Sequence, residues 1–218
     1  MKKIITLAAL AAVSAGASAA SNLIVDGSFE QLTQVGPNSW SLLGQATLTA
    51  DEGASGWKVT SVAGGPGSGL EVRDNNVGKA QDGDRYIELD GAENDKITQT
   101  IATVAGQSYD ISFWFSDRTG VAGSSEGWAL SAGAYSAAIP GGGFNNSGDN
   151  QWQHFIGSFV ATGSSTTFSL WGTGKSDGYG TSIDNISITS AVPEPASLGL
   201  FAAGLAVLGL TARRRRQG

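Results

Sequence analysis

Apolar and polar residues alternate with a period of two along much of the middle of this chain. In Tyr109-Asp110-Ile111-Ser112-Phe113-Trp114-Phe115, an extended backbone puts Tyr109, Ile111, Phe113 and Phe115 on one face and Trp114 on the other. Phe168-Ser169-Leu170 repeats the pattern. Ile183-Asp184-Asn185-Ile186-Ser187-Ile188 repeats it too, but slips by one at Asn185. Short runs rich in β-branched and aromatic residues, punctuated by Gly, Asn and Asp, predict strands near Leu23–Val25, Thr47–Thr49, Trp57–Thr60, Leu70–Val72, Tyr86–Leu89, Ile97–Ile101, Tyr109–Phe115, Trp128–Ala132, His154–Val160, Thr166–Leu170 and Ser182–Thr189. No window between residues 21 and 190 has the period of an amphipathic helix. About ten short strands joined by turns predict an all-β fold, a two-sheet antiparallel sandwich.

The two ends break this pattern. Met1 to Ala20 has a basic start (Lys2, Lys3), an apolar centre (Ile4 to Val13) and Ala17-Ser18-Ala19 as a cleavage site, so it reads as a secretory signal peptide. The other end, residues 191–218, reads Val192-Pro193-Glu194-Pro195, an uncharged apolar run from Ala196 to Ala212, then Arg213, Arg214, Arg215 and Arg216. The prolines mark a stiff breakpoint. The run of roughly 17 residues is at the short end of what spans a bilayer as a helix, and the arginines would stay on the cytoplasmic side. This order resembles the PEP-CTERM sorting tail of Gram-negative bacteria. The resemblance implies recognition by a membrane-embedded exosortase, a transient inner-membrane anchor, cleavage near the motif and a final place at the cell surface or in the extracellular matrix. A plain C-terminal anchor is the alternative; both readings place the body outside the inner membrane.

Charge and composition sharpen the picture of residues 21–190. Glycine supplies 32 of 218 residues, which disfavours helix interiors and favours loops. There is no cysteine, which excludes thiol catalysis and zinc–thiolate sites. Lys2, Lys3 and the four terminal arginines belong to the ends; 7 basic and 18 acidic residues remain between them, a net charge near −11. Such a surface repels the phosphates of nucleic acid.

Several fragments of the body occur in a telling order: Asn22-Leu23-Ile24-Val25-Asp26-Gly27-Ser28-Phe29-Glu30, then Ala80-Gln81-Asp82-Gly83-Asp84-Arg85-Tyr86-Ile87-Glu88-Leu89-Asp90-Gly91, then Ile97-Thr98-Gln99-Thr100-Ile101, then Ala105-Gly106-Gln107-Ser108-Tyr109-Asp110-Ile111-Ser112-Phe113, and last Ile183-Asp184-Asn185-Ile186-Ser187. The set is similar to the galactose-binding-like jelly rolls, which include many carbohydrate-binding modules. That resemblance implies a jelly-roll sandwich and a structural calcium held by Glu30, Asp184 and a backbone carbonyl near Gly27. The alternative is that Glu30 caps a turn and Asp184 pairs with backbone amides at a strand bulge.

Sugar binding needs an exposed aromatic face with amide or carboxylate groups beside it. Trp114, opposite the apolar face of its strand, is the first candidate, and Trp128, beside Glu126, the second; Trp57 and Trp171 read as core. Asp117 and Arg118 follow Trp114 and could reach hydroxyls. Catalytic patterns are missing. The one histidine, His154, has no Gly-x-Ser-x-Gly elbow to serve. Gly172-Thr173-Gly174-Lys175-Ser176 has no following helix and is not a phosphate loop. The two resemblances together imply an exported, non-catalytic module that binds polysaccharide, associated with exopolysaccharide or biofilm. A structural surface protein without a defined ligand is the alternative, and a small glycoside hydrolase a more distant one.

Overall fold

The computed structural model describes residues 20–45, 48 and 55–191. Eleven strands follow in chain order: β1 (Ser39–Leu43), β2 (Lys58–Ser61), β3 (Leu70–Asp74), β4 (Arg85–Glu88), β5 (Asp95–Ala102), β6 (Ser108–Ser116), β7 (Gly127–Ala132), β8 (Tyr135–Pro140), β9 (Gln153–Val160), β10 (Ser165–Gly172) and β11 (Ser182–Ser190). Two antiparallel sheets result. One has the order β1-β3-β4-β11-β6-β9, the other β2-β5-β10-β7-β8. The central strands turn their apolar sets inward: Ile111, Phe113 and Phe115 on β6 meet Trp128 and Leu130 on β7 and Phe168 and Leu170 on β10 in one buried core.

The register slip expected at Asn185 is a β-bulge. Asp184 pairs with Trp114 and Ser187 with Ser112, so one extra residue lies on β11. Asn185 takes it up with φ 50, a region that asparagine tolerates better than most residues. The bulge returns Ile186 and Ile188 to the core side, where Ile183 already lies.

Three expectations are corrected. Leu48 has helical backbone and not the strand expected over Thr47–Thr49, whose other residues lie outside those described. Leu23–Val25 is not a strand: the Asn22 side chain takes its place, donating to Ile186 O (3.0 Å) and accepting from Ile188 N (3.0 Å), while Leu23 N bonds Ile188 O (2.8 Å). β1 and β8 are additional strands. Both are outer edges, where half the backbone groups face solvent and the sequence demand is weakest. Among the described residues no helix is long and apolar enough to cross a membrane; the signal peptide and the span expected over 196–212 lie outside them.

Candidate functional site

The outer face of the six-stranded sheet has an unusual chemistry. Period-two alternation sends Leu70 and Val72 of β3 and Ile87 of β4 into the core. It sends Glu71, Arg73 and Glu88 to the other side, with Glu71 directly opposite Glu88 in the ladder. These outward charges are nevertheless 2%, 3% and 1% exposed. The segment after β3 arches over them: Arg73 Nη1 donates to Asn76 Oδ1 (3.0 Å), and Tyr86 donates its hydroxyl to Asn76 O. The loop before β11 closes the other side, held where Asp177 N donates to Asp90 Oδ2 (2.9 Å).

Buried charge of this kind persists only when paired. Glu88 Oε2 accepts from Arg73 Nε (3.2 Å), Arg73 Nη2 (2.9 Å) and Arg118 Nη1 (2.9 Å). Arg73 Nη2 also contacts Glu71 Oε1. Burial pushes the Glu88 carboxyl well above the usual range; Arg73 opposes this, and the facing Glu71 adds to it. Glu88 Oε1 is buried with no hydrogen-bond partner among the described residues.

Two exposed rings flank this charged floor. Trp40 on β1 is 51% exposed and lies 5.9 Å from the Arg73 guanidinium. Tyr179 is 47% exposed and lies 4.7 Å from that of Arg118. Together with Asn76 and Val77 they line an open cleft of about 390 Å³, within the ordinary size of a small-ligand site. Arginine beneath each ring fixes it by cation–π attraction and leaves the other face to solvent. The arrangement offers apolar ring faces for the C–H surface of a sugar, with the Arg118 guanidinium and the Asn76 amide beside them for its hydroxyls. Its Glu71 and Glu88 do not form a glycosidase pair. Glycosidases place two carboxyls about 5 to 9.5 Å apart on either side of the bond, whereas Glu71 and Glu88 are side by side and tied to one guanidinium.

The residues singled out from sequence divide. Arg118 is in the cleft. Trp114 faces outward on the same sheet, half-buried and stacked on His154 with ring centroids 4.5 Å apart and planes at 12°. Asp117 lies beyond it and accepts from Gly142 N (2.7 Å) at a separate surface depression; burial raises its carboxyl above the usual range. Trp128 is corrected: it is 1% exposed, wedged between Phe113, Phe115 and Phe155 at 4.9 to 5.4 Å, and offers no face to a ligand. Trp57 is core, as its context suggested. Trp171 is not; it is half-buried on the outer face of the second sheet under Lys96. Pro193, Glu194, Pro195 and Arg213 to Arg216 lie outside the described residues. Trp40, Tyr179, Glu71, Arg73 and Glu88 did not stand out in the sequence.

Glu30, Asp184 and Gly27 do come together, around the loop 81–85. Glu30 Oε1 accepts from Asp84 N (2.9 Å) and Arg85 N (2.6 Å). Asp184 Oδ2 accepts from Gln81 N (2.7 Å) and Asp82 N (3.0 Å), and its Oδ1 from Asn185 N (2.6 Å). Gly27 O accepts from Ile186 N (2.8 Å). Gly27 is pressed so close to β11 that a Cβ there would lie 2.0 Å from Ile186 O. Calcium takes about six to eight oxygen ligands. This arrangement does not fit it: three of the four carboxylate oxygens face amide N–H groups, and the fourth, Glu30 Oε2, lies 3.5 Å from Arg85 Nη1.

Two antiparallel sheets around one core, with a ring-flanked charged cleft on one outer face, define a β-sandwich of jelly-roll type. Residues 191–216 match the model of the PEP-CTERM protein-sorting motif. The chain thus carries a sorting tail, the mark of a protein exported and sorted to the cell surface. The body is similar in structure to "Family 16 Carbohydrate Binding Module-2", at 17% identity and a TM-score of 0.46 over 77% of this chain and 99% of that one. It is also similar to TmCBM61, solved with β-1,4-galactotriose, at 16% identity and a TM-score of 0.45 over 78% of this chain and 99% of that one. A third similar structure is the CBM22-1 xylan-binding domain of Xyn10C from Paenibacillus barcinonensis, at 14% identity and a TM-score of 0.41, covering 82% and 100%. No curated protein matches the sequence.

Proposed function

We propose that this chain is a non-catalytic polysaccharide-binding protein of the cell surface or extracellular matrix, sorted there by an exosortase acting on its tail. The observation that carries the reading is the cleft between Trp40 and Tyr179, lined by Glu71, Arg73 and Arg118, with Glu88 buried behind them. Ring faces bind sugar C–H surfaces, and a preorganised set of charge-assisted donors and acceptors selects hydroxyl geometry. An exopolysaccharide of the host, in a matrix or biofilm, is the ligand this placement favours. After Sec export, the exosortase would act while the tail crosses the inner membrane of a Gram-negative cell.

The test is retardation of the full-length chain in gels containing neutral polysaccharides, the host's own included. Trp40→Ala and Tyr179→Ala each weaken binding about tenfold or more, as removal of a stacking ring does, and leave the melting temperature nearly unchanged because both rings are exposed. No retardation of the wild type on any glycan overturns the reading. Intact mass from host strains with and without exosortase tests the sorting step: loss of the segment from about Pro193 onward only in the former supports it.

A further inference from the structure

The outer face of the second sheet is chemically unlike the rest of the body. Its outward positions on β2, β5, β10, β7 and β8 carry no carboxylate, although residues 21–190 hold 18 acidic groups against 7 basic ones. Lys58 and Lys96 both point out from it. Register places Lys58 opposite Thr98 and Lys96 opposite Thr60, so the two lysines are diagonal neighbours across the β2–β5 pair. Among the described residues neither has an ion-pair partner; Lys96 Nζ lies instead 5.0 Å from the centroid of Trp171. Hydroxyl side chains fill the positions alongside. Thr100 faces Thr167 across the β5–β10 pair, with their hydroxyl oxygens 2.9 Å apart. A depression of about 320 Å³ opens at the edge of this face, lined by Val25, Lys58, Thr98 and Thr100 among others.

We propose that this face is a second polysaccharide-binding surface, selective for chains bearing carboxylates, and separate from the cleft on the opposite sheet. Lys58 and Lys96 supply cations for uronate groups. The threonine rows supply hydroxyl donors and acceptors at the even spacing of a sheet, and the half-buried Trp171 gives an apolar patch among them. Hydroxyl-rich sugar rings fit the threonine rows, whereas the bases of nucleic acid need open aromatic platforms, and Trp171 lies under Lys96.

The experiment compares the full-length chain in gels containing polygalacturonate with gels containing its methyl-esterified, neutral form. Retardation is expected on the first only, and is lost in roughly 0.5 M salt, where exposed charges are screened. The double variant Lys58→Gln/Lys96→Gln weakens it about tenfold, the sum of two exposed ion pairs. Lys58→Arg/Lys96→Arg retains it, which separates charge from damage to the fold. Trp40→Ala leaves polygalacturonate binding unchanged while weakening binding of neutral polysaccharide in the cleft, so the two sites fail independently. The proposal is overturned if the wild type is not retarded by polygalacturonate, if the glutamine pair binds it like wild type, or if single-stranded DNA is retained equally well.

Discussion

Arg73 shows how much one side chain holds together. Its guanidinium contacts Glu71, Glu88 and Asn76 and supports the ring of Trp40. Truncation would leave two facing carboxyls in a nearly dry site. Arg73→Ala is expected to destabilise the fold by about 3 to 5 kcal/mol, measured as a fall in the urea midpoint; a loss under about 1 kcal/mol would mean that the carboxyls are already neutral or hydrated. The sequence hides this residue for a physical reason. Leu70-Glu71-Val72-Arg73 alternates like any strand with one wet face, and nothing local announces that the loops after β3 and before β11 cover that face. Trp128 misleads in the opposite sense. Glu126 and Gly127 suggest a loop and an exposed ring, but the chain enters β7 at Gly127, and the next side chain turns inward among three phenylalanines.

The strands rich in β-branched and aromatic residues were legible because burial on one face demands that pattern. β1 and β8 were not, since an edge strand needs only one neighbour and tolerates Ser, Ala and even Pro140. The slip at Asn185 was legible in position and is now explained in mechanism. Asn185→Val puts a β-branched side chain at φ 50 and is expected to cost about 1 to 2 kcal/mol. Asn185→Gly is expected to be nearly neutral; equal effects of the two in thermal melting would show that the bulge relaxes. The staple beside it follows the same logic. Glu30 and Asp184 grip the 81–85 loop through its own N–H groups, which occupy the oxygens a cation would need. Excess chelator is therefore expected to leave the melting temperature unchanged, and a drop of several degrees, reversed by calcium, would restore the ion to this place.

Several acids of the fold are buried where their charge is unfavourable. Burial raises Glu126 from 4.5 to about 7, even though Thr181 donates a hydroxyl to it. Burial likewise raises Asp26 and Asp95 from 3.8 to about 6. The folded state thus holds more protons than the unfolded state between about pH 4 and 7. Their stabilising contribution is complete below about pH 4 and is lost as pH rises through 6 to 7. The urea midpoint is expected to be higher near pH 5 than near pH 8, and Glu126→Gln to narrow that gap; a midpoint that rises with pH would contradict the assignment. The position of β11 has a mechanical meaning as well. The tail leaves the body from this strand, which lies inside the six-stranded sheet with β4 on one side and β6 on the other. Asn22 and Leu23 bond its tail-side half, at Ile186 and Ile188. A pull at Ala191 therefore loads the ladder with β6 in shear and does not peel away an edge, so the domain would resist unfolding by force applied at this end.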